Sequence, residues 1–366
     1  MLLLVSHFTK NKGTTDYFSE YLKNNSIPYY YLRHPFNFTD LRYSELVFFD
    51  GKKEILLNKY GKINNSILDL VRNFLVSLFI SLKLNKKVDK IMAFGSFNVI
   101  PFIFLKKTLK RTVYFWGVDY SRDRFRIKLL NGLYSFFETV ACKCGDLVIQ
   151  PTKRQADARM QFHKLKIEKS LIVPNGVGEI KFNKTFSIYE KIALIYIGSI
   201  TVQHGVLDFI KYFYLKKKLN YKLYIIGGGE LENELMDLIK LNGLENKIIF
   251  LGSKKQEEIA VFLRDANEKL FGIAPYDDKF NDHVYYGDSL KIKEYLNYNI
   301  PFITSCIAYV PPEIRKFGFV YADFEKLSQF FKKGIVDFQF DEKNKDEVLK
   351  KYRWENIFSV LMDRTK

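Results

Sequence analysis

Short apolar runs alternate along the chain with longer stretches whose apolar residues recur every three or four positions. MLLLVSHF is a strand by this criterion, followed by a polar loop over 9–15 and a helix over Asp16–Lys23. IPYYYLRHP, KIMAFGS, TVYFWGV and DLVIQPT supply further strands, with helices at Ser66–Lys83 and Lys153–His163. The pattern restarts near residue 191 with ALIYIGS, a helix from Val206, YKLYIIGGG and a helix over Glu230–Asn242. It continues with KIIFLGS, the helix Gln256–Ala266, KLFGIAPY, the helix Leu290–Tyr298 and IPFITS. Near-continuous apolar strands separated by helices of about 10–15 residues indicate parallel sheets covered on both faces. The expected fold is α/β, with two doubly wound, Rossmann-like domains facing across a cleft. The polar, Gly-containing and aperiodic stretch Val173–Ser187 marks the hinge between them. Such sheets bind ligands at the carboxyl ends of their strands, so the chemistry is expected just after each strand, in the cleft.

Charge changes this picture in one half only. The 366 residues carry 58 Lys/Arg against 41 Asp/Glu, a net of +17. Residues 1–180 hold 29 basic and 15 acidic residues, whereas residues 181–366 hold 29 and 26. A basic first half points to an anionic partner: nucleic acid, a membrane surface or a phosphorylated acceptor. Hydrophobic residues at 47% exclude a disordered chain. Three cysteines are too few for a disulfide scaffold, so a reducing, cytoplasmic setting is expected. The opening MLLLVSHFTK lacks the marks of a signal peptide, and no stretch reaches the roughly 18 apolar residues of a membrane span. The apolar run Phe74–Leu82 lies between Arg72 and the lysines 83, 86, 87 and 90. It reads either as a core helix or as a helix lying against an anionic membrane, together with Arg111, Arg122, Arg124, Arg126 and Lys128.

Three loops of the second half place small residues against a helix start: Gly198-Ser199 leading to His204-Gly205, Gly227-Gly228-Gly229, and Gly252-Ser253-Lys254. Free backbone N–H groups in such turns hold phosphate, although each loop alone is also ordinary turn geometry. No Gly-x-Gly-x-x-Gly opens either domain and no Walker-type loop is present, which counts against nicotinamide and P-loop chemistry. In DSLKIKEYL, Asp288 or Ser289 caps a helix, and Lys291 and Glu294, three apart, share one face near its positive end. A cation there suits a diphosphate, and a carboxylate one turn on suits ribose hydroxyls. The same spacing also describes a plain surface ion pair.

Taken in order, Val173-Pro174-Asn175-Gly176-Val177, the Gly198…Val206 loop, IIGGGELENEL, IIFLGSKKQEEI and SLKIKEYLNYNIPFITS make residues 173–322 resemble the carboxyl-terminal domain of GT-B-fold glycosyltransferases of the family-4 type. The first half is similar to the acceptor domain through Gly13, WGVDYSRDRF and DLVIQPTKRQADAR, and YRWENIFSVLMDR resembles the final helix that crosses back to it. The resemblance implies an acceptor domain over 1–172, joined by the helix of about 350–366, and a nucleotide-sugar domain over 173–349. It implies that Glu294 binds ribose, that Gly198, Ser199, Ser289, Leu290 and Lys291 hold the diphosphate, and that Gly227, Gly228, Ser253 and Lys254 border the base. It further implies sugar transfer, with retention and without metal or cofactor, from a nucleotide-diphospho-sugar to a glycan or polyprenyl-linked acceptor. The setting would be bacterial cell-surface polysaccharide, capsule or lipopolysaccharide synthesis, in the cytoplasm or peripherally at the inner face of the membrane.

The chain departs from that pattern at three places. Ser199 and His204 stand where relatives carry Arg and Lys, and Tyr286 replaces the first of two glutamates, which shifts sugar contacts to Asp288. Trp116 replaces a histidine, leaving Asp119 as the candidate at the reacting centre; Asp119 reads equally as a helix cap or a partner of Arg122. Gly13, Trp116, Arg122 and Arg124 are the candidate acceptor contacts. The cysteines and five histidines show no metal-type spacing. Asp277, Asp278, Asp282, His283 and Asp288 form an acidic loop that binds a cation, faces sugar hydroxyls or is solvated. Other readings of the chain are a silent nucleotide-sugar binder, an epimerase of the same architecture, and a basic nucleic-acid-binding protein, the last opposed by the near-neutral second half and the lack of any recognition motif.

Overall fold

The apolar run that opens the chain forms β1 (Leu2–His7), with Leu3, Leu4 and Val5 fully buried. The computed structural model describes residues 1–8, 12–35, 42–61, 66–125, 127–178, 191–277 and 283–365. The chain divides into two units, Met1–Asn175 with Ile357–Lys366, and Gly176–Asn356.

In the first unit, β1 pairs in parallel with β2 (Tyr29–His34) on one side and with β5 (Lys90–Phe94) on the other. The parallel order continues through β6 (Thr112–Trp116), β7 (Leu147–Gln150) and β8 (Ser170–Ile172). The far edge departs from the expected all-parallel sheet. There β3 (Tyr43–Phe49) and β4 (Glu54–Gly61) form an antiparallel hairpin on β2, giving eight strands in all. Its signal is local: Asp50-Gly51 between apolar runs, with Asp50 Oδ1 accepting from the amides of Lys52 and Lys53 at 2.8 Å. The chain leaves β1 towards β2 and later returns to β5, so the switch point of this sheet lies between β1 and β5.

The second unit repeats the plan with six parallel strands: β9 (Ile192–Ile197), β10 (Lys222–Ile226), β11 (Ile248–Phe250), β12 (Lys269–Ala274), β13 (Phe302–Ser305) and β14 (Gly318–Tyr321). Their order is β11-β10-β9-β12-β13-β14, with the switch point between β9 and β12. Two apolar cores cover the two faces, one around Phe209, Phe213 and Leu235 and the other around Ile292, Tyr295 and Leu296. The strands must therefore be apolar on both sides, which is why they read as continuous runs. Of the expected hinge, residues 179–187 lie outside the described residues.

The closing helix, Trp354–Arg364, starts in the second unit and ends in the first. Phe358 is fully buried there against Phe18, Tyr21 and Trp116, and the carbonyl of Thr365 accepts from Lys90 Nζ at 2.8 Å.

Candidate functional site

At the switch point of the second sheet the strand-end loops are stitched together by backbone bonds. The amide of Gly198 donates to Ile226 O, that of Gly227 to Gly252 O and that of Ile200 to Gly228 O, each at 2.9 Å. Gly227 has φ +145°, and a methyl group there would fall 1.9 Å from Gly198 O. Gly198 has φ +149°, and a methyl group there would meet Lys291 Cε at 2.1 Å. Both positions need glycine for conformation and for space. Gly227→Ala is expected to cost on the order of 2–3 kcal/mol, from strain and overpacking together. Urea unfolding of the variant measures it, and an unchanged midpoint would refute this packing.

The helix Leu290–Asn297 is fixed from below by Tyr295, whose hydroxyl accepts from the Ile197 amide at 3.0 Å and donates to Ile273 O at 2.9 Å. That anchor brings Lys291 over the first loop, with Nζ 5.3 Å from the Tyr276 ring and 5.7 Å from that of Tyr196. Burial lowers the Lys291 ammonium to about 8, with Glu294 opposing the shift. Glu294 is solvent-accessible, with the atoms of neighbouring residues close around it. The crowding raises its carboxyl and Lys291 lowers it. His204 Nδ1 lies 2.7 Å from Ser199 O, a carbonyl that can only accept, so this nitrogen carries a proton. Its ring meets Tyr276 edge-on at 5.7 Å. A methyl group on Gly228 would lie 2.8 Å from Ser253 Oγ. Gly198, Ser199, His204, Gly227, Gly228, Ser253, Lys291 and Glu294 thus share one strand edge, with Leu290 and Lys254 beside Lys291 and Ser253 in the chain.

Two expectations are redirected. Asp288 does not present a free carboxylate to a sugar: it holds the buried ammonium of Lys293 at 2.5 Å, which also lies over the Tyr352 ring. Desolvation lowers Lys293, and the charges of Asp288 and Glu313 oppose that shift. Ser289 caps the helix through its backbone, while its hydroxyl bonds Tyr276 Oη at 2.6 Å. Of the acidic loop, residues 278–282 and the side chain of His283 lie outside the described residues. Among the described residues no group of three or more His, Cys, Asp or Glu is placed to hold a metal ion.

The first sheet carries its own pocket at the β1/β5 switch point, about 440 Å³, lined by His7, Gly13, Ser96, Asn98, Asp119 and Arg124 among others. Asn98 Nδ2 donates to Phe94 O at 2.7 Å and lies 3.1 Å from His7 Nδ1, so Nδ1 accepts and the neutral ring carries its proton on Nε2. Burial and the nearby Arg124 charge lower His7 to about 4, which keeps it neutral at physiological pH. Asp119 pairs in fork geometry with Arg124, at 2.9 and 3.0 Å, and the Arg122 guanidinium lies over the Phe162 ring. Arg126, of the expected basic stripe, lies outside the described residues. Gly13 starts the helix Thr14–Asn24, its amide donating to Asp16 Oδ2 at 2.8 Å.

Trp116 is corrected from ligand contact to core. It is 2% exposed, stacked on Phe94 at 4.8 Å and closed off by Phe18 and Phe358. Sequence reading also missed Arg159, which is fully buried. It bonds Glu138 at 2.9 Å, Gln155 at 2.6 Å and the carbonyl of Asp119 at 3.1 Å, so it holds the loop that presents Asp119. No local pattern reveals His7 with Asn98 or Arg159 with Glu138, because each pair is assembled from separate elements.

Comparison with known proteins agrees with this architecture. Residues 178–320 match the family described as glycosyl transferases group 1. An uncharacterized glycosyltransferase of Methanocaldococcus jannaschii is 28% identical over 235 residues, covering 59% of this chain and 54% of that protein, about half its length. Sucrose-phosphate synthase from Thermosynechococcus elongatus superposes with a TM-score of 0.71 at 14% identity, over 100% of this chain and 97% of that one. HepE of Anabaena in complex with UDP gives 0.71 at 13% identity, over 100% and 99%. The lipopolysaccharide outer core galactosyltransferase WaaB gives 0.69 at 14%, over 100% and 99%. Residues 178–320 are thus similar to glycosyl transferases group 1, within a chain that has the GT-B fold.

Proposed function

We propose that the protein is a glycosyltransferase that moves a sugar from a nucleotide-diphospho-sugar to a glycan or polyprenyl-linked acceptor. The observation that carries this reading is the convergence of Lys291, Glu294 and the glycine loops on one strand edge of the second unit. A nucleoside diphosphate leaving group needs its developing charge neutralised more than it needs covalent help. Loop amides, a helix N-terminus and the Lys291 ammonium supply that charge without a metal or cofactor, and Glu294 takes the ribose hydroxyls. Retention of configuration, and a place in bacterial cell-surface polysaccharide, capsule or lipopolysaccharide synthesis, complete the reading. HepE, of the same fold, is described in complex with UDP and with UDP-glucose, which supports a nucleotide-sugar donor. The acceptor side is assigned to the pocket of the first unit, with Asp119 towards the reacting centre and Gly13, Arg122 and Arg124 around it. The free cysteines and the basic first half support a cytoplasmic, peripheral placement.

A thermal-shift screen of UDP, GDP, ADP, CMP and dTDP tests the donor assignment. Ligand at about 100 times its dissociation constant should stabilise the fold by roughly 2.7 kcal/mol, a shift of several degrees. One nucleotide is expected to give this shift and Glu294→Ala to abolish it. No shift with any nucleotide, combined with salt-sensitive binding to DNA, would replace this reading with the nucleic-acid one.

A further inference from the structure

Helix Ser66–Lys83 turns only part of its apolar surface inward. Ile80 is fully buried in the core, but the rest of the buried stripe is polar: Asp69, Asn73, Ser77 and Ser81, four residues apart, are each at most 5% exposed. Three of these groups have their bonds within the unit. Ser77 Oγ lies 3.0 Å from His34 Nε2, Asn73 Oδ1 accepts from Arg72 at 2.7 Å, and Ser81 accepts two bonds from Arg111 at 2.7 Å. The opposite stripe is Leu68, Val71, Leu75, Phe79 and Leu82, spaced three or four apart and each at least half exposed. An amphipathic helix ordinarily turns such a stripe to the core. Here the inward hydrogen bonds fix the rotation that leaves it outside.

The apolar surface extends beyond this helix. The helix Ser96–Leu105 packs beside it and the helix Lys128–Cys144 beside that. They add Phe104, Leu129 and Phe136, each at least 60% exposed. Single exposed apolar residues are ordinary, but eight large ones gathered on three adjacent helices mark an interaction surface. Its surroundings are cationic: Lys83 closes the helix and is exposed. Lys86 and Lys87 follow the first helix, and Lys107 and Lys110 the second, all exposed.

We propose that this face docks the protein on an anionic phospholipid surface. Helix Ser66–Lys83 lies in the interface plane, its apolar stripe at the acyl boundary and the lysines among the headgroups. Among the described residues no helix is long and apolar enough to cross a membrane, so the element lies on the bilayer. A second copy is the weaker occupant, because a two-fold contact would bring the same cationic rims together. The proposal names the surface for the peripheral placement given above and does not depend on sugar transfer.

Vesicle flotation of the full chain, without donor, tests it with phosphatidylcholine alone and with 30% phosphatidylglycerol added, a fraction of the experimenter's choosing on the order of cellular anionic content. The expected result is at least roughly tenfold tighter binding to the anionic vesicles, weakened by salt. Leu75→Glu with Phe79→Glu should abolish it while circular dichroism and the nucleotide thermal shift stay as in the parent. Lys86→Glu with Lys87→Glu, which leaves the apolar stripe intact, should remove the anionic preference. Leu241→Glu, at an exposed leucine of the second unit, should change nothing. Absence of binding to anionic vesicles, equal binding by the Leu75/Phe79 variant, or a dimer in light scattering that the same variant dissociates would overturn the proposal. Because the nucleotide shift is read separately, loss of one result leaves the other standing.

Discussion

Lys291→Ala is expected to lower turnover about 10²–10³-fold with the nucleotide sugar identified by the screen, the usual cost of removing one preorganised charge at a leaving group. The methyl group that replaces the long side chain leaves Tyr276 and Tyr196 without their cation, and Ser199 and His204 stand at the other positions of the first phosphate loop. The pH dependence provides a second readout. Lys291 is held near 8 by burial, so in the free protein the ammonium is present below that pH and lost above it. A diphosphate binds the protonated form, so affinity should fall by up to tenfold per pH unit as pH rises beyond about 8. The variant should show no such fall. Calorimetric titration of the nucleoside diphosphate between about pH 6.5 and 9.5 measures both, and a parent profile flat through 8 would remove Lys291 from the diphosphate site.

Arg159→Ala is expected to be the most damaging single change to the first unit. Arg159 and Glu138 are both almost completely buried, and deleting one partner leaves the other charge without compensation at a cost of about 3–5 kcal/mol. It also removes the bond to Asp119 O and the cation stacked on Phe115 and Tyr120. A fall in the melting temperature on the order of 10 °C follows for a unit of this size. Replacing both Arg159 and Glu138 with apolar residues of similar volume should recover part of the loss. The calorimetric transition of the parent and the two variants decides this, and an Arg159→Ala melting temperature within about 2 °C of the parent would contradict the buried pair. Acceptor recognition should weaken alongside, because Asp119 rides on the loop that Arg159 ties down.

Several elements of the fold are legible from local pattern because a parallel strand covered on both faces is apolar along its whole length, as in Ile192–Ile197 and Leu2–His7. The hairpin Tyr43–Gly61 escapes that criterion, since β4 is an exposed edge strand with polar and apolar residues mixed. Its one local mark is the Asp50-Gly51 turn. In the donor-side site, glycine spacing after each strand and the Lys291/Glu294 interval are visible because a loop and a helix face are local objects. The use of Asp288 is not local. A carboxylate at a helix start reads as a cap or a ligand until Lys293, five residues on, is seen to be buried against it.

Residue order alone, then, settled the two-sheet plan, the helix spacing of Ser66–Lys83 and the ordered glycine loops, because each follows from backbone periodicity and short-range sterics. The tertiary structure decided which face of that helix meets water, that Trp116 is core, and that His7 joins Asn98 across 91 residues. Rotation about a helix axis and the meeting of distant strands depend on which partners lie opposite. His34, Arg111 and Asn98 reach those places only when the sheet sets β2 and β5 on either side of β1, with β6 next to β5.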